Sequence, residues 1–138
     1  MEAMRTHPVV GPPQGLRFRS VGGDLGGVKL EAVGPVGRLV GYAAVFDQWA
    51  VISRSKGVEH REVIRRSAFN RVLADRDDVL ALVDHDSKRR LGRVRAGTLR
   101  LSTDAYGLRF EIDLPNTSLG QNAKGDVRHG NLAGASFG

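Results

Sequence analysis

Residues 91–115 read LGRVRAGTLRLSTDAYGLRFEIDLP, and the alternation in this stretch decides the fold. Apolar and polar residues take turns along Thr98-Leu99-Arg100-Leu101-Ser102 and again along Leu108-Arg109-Phe110-Glu111-Ile112-Asp113-Leu114. A period of two sets Leu99, Leu101, Leu108, Phe110, Ile112 and Leu114 on an inner face and the charged residues on a wet one. Turns at Arg95-Ala96-Gly97 and at Thr103 to Gly107 separate three strands, Leu91–Val94, Thr98–Ser102 and Leu108–Leu114. The pattern predicts an antiparallel meander.

Upstream, Val79-Leu80-Ala81-Leu82-Val83 is a short, partly β-branched apolar run that reads as a buried strand. It runs into Asp84-His85-Asp86, which presents a titratable ring at the rim of a rigid element. On its own, His85 reads first as a turn histidine whose acidic neighbours start a loop. Before it, Ser67 looks like the cap of a short helix over Ala68 to Ala74, with residues 68, 69, 72 and 73 on one face. Glu59 to Ile64 alternates weakly as a strand, and Asp47 to Gly57, with the only Trp, reads as a loop. Gly37 to Phe46 is a core strand with Gly41 at its centre, a position that permits close backbone approach. From Met1 to Val36 the chain is rich in Gly and Pro and reads as a flexible arm, with one short strand at Val28–Val33. The division expected is therefore an arm over 1–36 and a β-rich domain over 37–138.

Downstream of Pro115, Asn116 is a candidate cap for a polar helix over Thr117 to His129, which Gly120 and Gly125 weaken. A last strand starts near Leu132 and carries Gly134-Ala135-Ser136-Phe137-Gly138. Small residues around Ser136 let a substrate backbone come close, although the spacing is not that of a GxSxG nucleophile elbow.

The totals narrow the chemistry. At 138 residues, with 41% hydrophobic and 26% charged content, the chain suits one globular domain with a real core. No apolar window approaches a membrane span, and the N-terminus lacks the layout of a signal peptide. With no cysteine, thiol nucleophiles, disulfides and cysteine-held zinc are excluded, so nucleophilic chemistry falls to hydroxyl, amine or carboxylate groups. The net charge of +6 favours acidic surfaces, but the cations are dispersed and aromatics are few.

Taken in order, a series of short motifs resembles the phage prohead (procapsid) maturation serine proteases, which are related in fold to the herpesvirus assemblins. The series is Gly41-Tyr42-Ala43-Ala44-Val45-Phe46, Glu62-Val63-Ile64, Ser67-Ala68-Phe69, Leu80 to Asp86, Leu91-Gly92-Arg93, Gly97 to Ser102, Gly107 to Glu111, Asp113-Leu114-Pro115 and Gly134-Ala135-Ser136-Phe137-Gly138. Ser67 stands where the family often has glycine. The resemblance implies an α+β domain, a mainly antiparallel β-barrel-like sheet with a few flanking helices. It implies Ser136 as nucleophile and His85 as general base, no cofactor and no metal. The implied substrates are capsid and scaffold proteins, cleaved inside the immature procapsid in the host cell, by a protein that self-associates through open sheet edges.

The resemblance also implies that the serine strand continues, with the third triad member and the oxyanion-hole backbone beyond Gly138. The barrel is then incomplete, and this polypeptide alone is expected to show little or no peptidase activity; robust Ser136-dependent turnover would refute that. Within the chain, Glu111, Glu62, His60, Asp84 and Asp86 are the groups that could orient His85, each of them equally readable as a solvated surface group. Two other functions compete. A non-catalytic basic module would bind nucleic acid or a capsid surface through Lys88, Arg89, Arg90, Arg93, Arg95 and Arg100. A metal at Asp84-His85-Asp86 is disfavoured, because neighbours on a strand point to alternate sides.

Overall fold

The computed structural model describes Ala3–Met4, Leu16–Arg19 and residues 27–84 and 86–137, with the backbone alone at 3–4, 16–19, 50–52 and 62. The strands in chain order are β1 (Ala3–Met4), β2 (Leu16–Arg19), β3 (Lys29–Glu31), β4 (Arg38–Val45), β5 (Ala50–Ser55) and β6 (Val58–Ile64). Helix α1 (Asn70–Ala74) follows, then β7 (Leu80–Val83), β8 (Arg90–Arg93), β9 (Leu99–Thr103) and β10 (Gly107–Asp113). Helix α2 (Ser118–Arg128) leads to β11 (Gly134–Phe137).

These strands form two four-stranded sheets, ordered β3-β4-β10-β9 and β11-β2-β7-β8, and a three-stranded ribbon β1-β6-β5. The alternating segment behaves as its pattern requires. Leu99, Leu108, Phe110, Ile112 and Leu114 are buried, and Leu101 packs partly buried against them. From the other sheet, Ala81, Val83, Leu91 and Ala135 join the same core, so the two sheets face each other across one apolar layer. The outer face of β4 and β10 is wet and carries Arg38, Glu111 and Asp113 in ion pairs.

The protein is α+β with mostly antiparallel strands and two helices, and the described strands close no barrel. Two causes replace the expected barrel and its meander. The turn at Arg95-Ala96-Gly97, with Gly97 at a left-handed φ of 73°, carries the chain from one sheet to the other, so β8 pairs with β7 while β9 pairs with β10. Strand β2 then inserts parallel to β7 and antiparallel to β11. Within the stretch expected as an arm, β1 pairs with β6, β2 lies inside a sheet and β3 pairs with β4 across the expected boundary at residue 36.

Smaller differences have equally local causes. The expected loop at Asp47 to Gly57 contains β5, because Lys56 and Gly57 both take left-handed φ (50° and 77°), the two-residue turn that closes a hairpin onto β6. Ser67 is not the cap residue of α1: the helix starts at Asn70 with Phe69 in the cap position, and the Asn70 N–H donates to the Ser67 carbonyl at 3.1 Å. The α2 cap is Thr117, one residue after Asn116, and its hydroxyl accepts from the Gly120 N–H at 3.2 Å. Gly120 costs helix propensity but is required, since a Cβ there would lie 1.8 Å from the Pro115 carbonyl oxygen. Gly41 allows the close approach expected of it, its Cβ position being 2.8 Å from the Gly27 carbonyl and 3.0 Å from the Phe110 ring.

Asp113 ties the wet face of the β4–β10–β9 sheet. It accepts from Arg38 Nε at 2.9 Å and from Arg100 Nη1 and Nη2 at 2.9 and 3.0 Å. The Arg100 hydrogen bonds, reinforced by Arg38, hold the Asp113 carboxyl well below the ordinary carboxylate range. A depressed folded pKa stabilises the fold above the unfolded value of about 3.9, and that contribution disappears as pH falls below it. Asp113→Asn is expected to cost about 1 kcal/mol at pH 7, the scale for a partly exposed pair screened by solvent. Chemical denaturation from pH 7 to below pH 4 checks this: the gap between the two proteins narrows on acidification, and a gap that is constant with pH contradicts the assignment.

Candidate active site

Ser136 owes its direction to its neighbours. Ala135 is buried in the core, and the Phe137 ring meets Phe69 edge to face at 4.9 Å and 88°. Alternation along β11 therefore turns Ser136 to the opposite face, where it is half-buried. Phe69 is itself 2% exposed and comes from the Ser67-Ala68-Phe69 motif, so that motif anchors the serine strand through an aromatic contact. The position of the motif in the sequence carries no sign of this contact, which joins residues far apart in the chain.

The register places Ser136 relative to the histidine strand. Ser136 is the Cα partner of Arg17 in β2, and Arg17 is the partner of Leu82 in β7. Ser136 and Leu82 thus share one cross-strand row, two strand spacings or about 10 Å apart along the backbone. Ala81 and Val83 belong to the core, so Leu82 faces the same side as Ser136. β7 then ends, and Asp84 takes a left-handed φ of 52°.

His85 lies outside the described residues. The chain on either side of it is held by a closed set of hydrogen bonds. The Asp86 N–H donates to the Val83 carbonyl at 3.0 Å, Arg89 N–H to the Asp86 carbonyl at 2.9 Å, and Val83 N–H to the Arg89 carbonyl at 3.0 Å. Asp86 Oδ1 accepts from the Lys88 N–H at 2.9 Å, and Arg89 Nη1 donates to Asp84 Oδ2 at 3.2 Å. Sequence reasoning took Asp84, Asp86 and Arg89 for orienting acids or basic surface; their visible work is to fix this turn.

The other candidate orienting groups are elsewhere. Glu111 sits on β10 in the opposite sheet, within 3.5–3.8 Å of Arg109, Arg100 and Arg38. His60 and Glu62 lie on β6 in the ribbon. Among the described residues no group of three His, Asp or Glu side chains is arranged to hold a metal ion.

Of the six cations expected to form a basic stripe, Arg89, Arg93, Arg95 and Arg100 have a carboxylate partner, whereas Arg90 Nε donates to the Ser87 carbonyl at 2.8 Å. Asp78 engages Arg93 through its side chain and the Arg95 backbone N–H at 2.9 Å, and both contacts hold its carboxyl below the usual range. Arg100 belongs to Asp113 and Glu111, and Arg89 to Asp84.

Comparison with known families places the chain among the serine peptidases: residues 28–138 match the family described as caudovirus prohead serine protease. The chain belongs to that family, whose members are phage proteases of capsid maturation. No curated protein and no solved structure matches it. Membership implies capsid or scaffold proteins as substrates in general and the procapsid within the host cell as the place of action. No helix among the described residues is long and apolar enough to cross a membrane.

Proposed function

We propose that the protein is a serine endopeptidase that cleaves the capsid and scaffold proteins of its phage inside the immature shell, with Ser136 as nucleophile and His85 as general base. The observation that carries the assignment is the register: Ser136 shares a row and a face with Leu82, on the strand that runs into His85. In the reaction, Ser136 Oγ attacks the peptide carbonyl while its proton passes to the His85 imidazole. Collapse of the tetrahedral intermediate breaks the C–N bond as His85 returns the proton to the leaving amine. Water then cleaves the acyl-enzyme by the same proton route, releasing the acid and restoring Ser136. An imidazole with an ordinary pKa near 6.5 can act in both directions at neutral pH.

On this reading the two facing sheets are the assemblin-like framework, and the protease domain of residues 37–138 is completed by β2 and β3 from the N-terminal stretch. Self-association uses the open sheet edges. The alternative of a basic nucleic-acid module gains nothing from Arg89, Arg93, Arg95 and Arg100, each of which already has a carboxylate partner. The test is processing of the capsid subunit in cells carrying the phage gene. Ser136→Ala and His85→Ala should each leave the subunit uncut, and normal processing with either overturns the assignment.

A further inference from the structure

A cleft lies between α2 and the turn that joins β3 to β4. Its volume is about 430 Å³, within the range of ligand pockets, and Leu30, Pro35, Val36, Glu31, Lys124 and Arg128 contribute to its lining. Lys124 and Arg128 are four residues apart on α2 and so stand on one side of the helix. Neither has an ion pair or a side-chain hydrogen bond among the described residues, whereas Arg38, Arg66, Arg93 and Arg100 each engage a carboxylate. The apolar part is firm. Val36 is 3% exposed, and Leu30 packs against the core.

Two unpartnered cations set beside the side chains of Leu30 and Pro35 complement a ligand with carboxylates next to one apolar side chain. We infer that this cleft binds an acidic peptide segment bearing an adjacent aliphatic residue. Nucleic acid fits less well, since no aromatic ring lines the cleft to stack a base. The cleft is also coupled to the serine strand. α2 ends at Arg128, the Leu132 N–H donates to the Asp126 carbonyl at 3.1 Å, and the Val28 N–H donates to the Ala133 carbonyl at 3.0 Å, one residue before β11. As a substrate exosite its role rests on the peptidase reading; its binding does not.

The experiment measures fluorescence anisotropy of a labelled Gly-Leu-Glu-Glu-Leu-Gly peptide with protein carrying Ser136→Ala, so that cleavage plays no part. Lys124→Gln with Arg128→Gln is expected to weaken binding about tenfold or more, the scale for loss of close charge pairs. Ala32→Glu, which sets a carboxylate in the cleft, should weaken it as well. The pair Lys88→Gln with Arg90→Gln makes the same charge change elsewhere and should leave the affinity within about twofold, as expected for charges remote from the ligand. Equal loss with both pairs, unchanged binding in all variants, or tighter binding of oligothymidylate than of the peptide overturns the proposal.

Discussion

Ser136→Ala is expected to lower peptide-bond cleavage by protein expressed from the phage gene by about four to six orders of magnitude, the range seen when a serine hydrolase loses its nucleophile. Stability should hardly change, because Ser136 points away from the core, and β11 is anchored instead by Ala135 and by Phe137 against Phe69. His85→Ala should lose a similar amount, since the two residues act as a unit and the losses do not add. The double variant should therefore be little worse than either single one. A Ser136→Ala protein that keeps more than about one hundredth of wild-type turnover would place the nucleophile elsewhere. Activity and thermal midpoint measured on the same preparations separate this outcome from misfolding.

Phe110→Ala is expected to cost about 3–5 kcal/mol, a large part of the roughly 5–15 kcal/mol that holds a domain folded. Phe110 is 0% exposed, and its ring lies over Gly41 of the paired strand. Truncation removes the contact between β10 and the centre of β4 and leaves a cavity between two hydrogen-bonded sheets that have little freedom to collapse. Urea denaturation with the midpoint and slope fitted together measures the loss. A cost below about 1 kcal/mol would mean that the core is loosely packed at its centre, against the burial seen at Leu39, Leu99 and Ile112.

What was legible in the sequence is what local patterning encodes. The strands at Leu99–Thr103 and Gly107–Asp113 could be read because apolar residues alternate along them and Asp104 and Gly107 mark the turn that joins them. The strand before His85 was visible as a bounded apolar run, and Ser136 stood out in a small-residue segment. The family was legible from the order of weak motifs, each unspecific alone.

Pairing between distant segments was not legible. Leu16-Arg17-Phe18-Arg19 alternates, but four residues set in a Gly- and Pro-rich region do not announce a strand that inserts between β7 and β11. Its stability comes from two neighbours distant in sequence, so propensity carries no trace of it. The same holds for Gly97, whose left-handed turn sends the chain to a second sheet although a hairpin would fit the sequence equally well. At the site, the fixing of the turn by Asp84, Asp86 and Arg89 could not be separated from a charged surface loop until the bonds were seen.

The central claim is that Ser136 is a nucleophile activated by His85, and covalent labelling tests it most directly. Protein expressed from the phage gene is treated with a fluorophosphonate, and the adduct is mapped by mass spectrometry across pH 5 to 9. The predicted result is a single adduct on Ser136, formed faster as an imidazole with pKa near 6.5 loses its proton. It should be absent in Ser136→Ala and strongly slowed in His85→Ala. An adduct on another residue, or capsid processing that proceeds in Ser136→Ala, would contradict it.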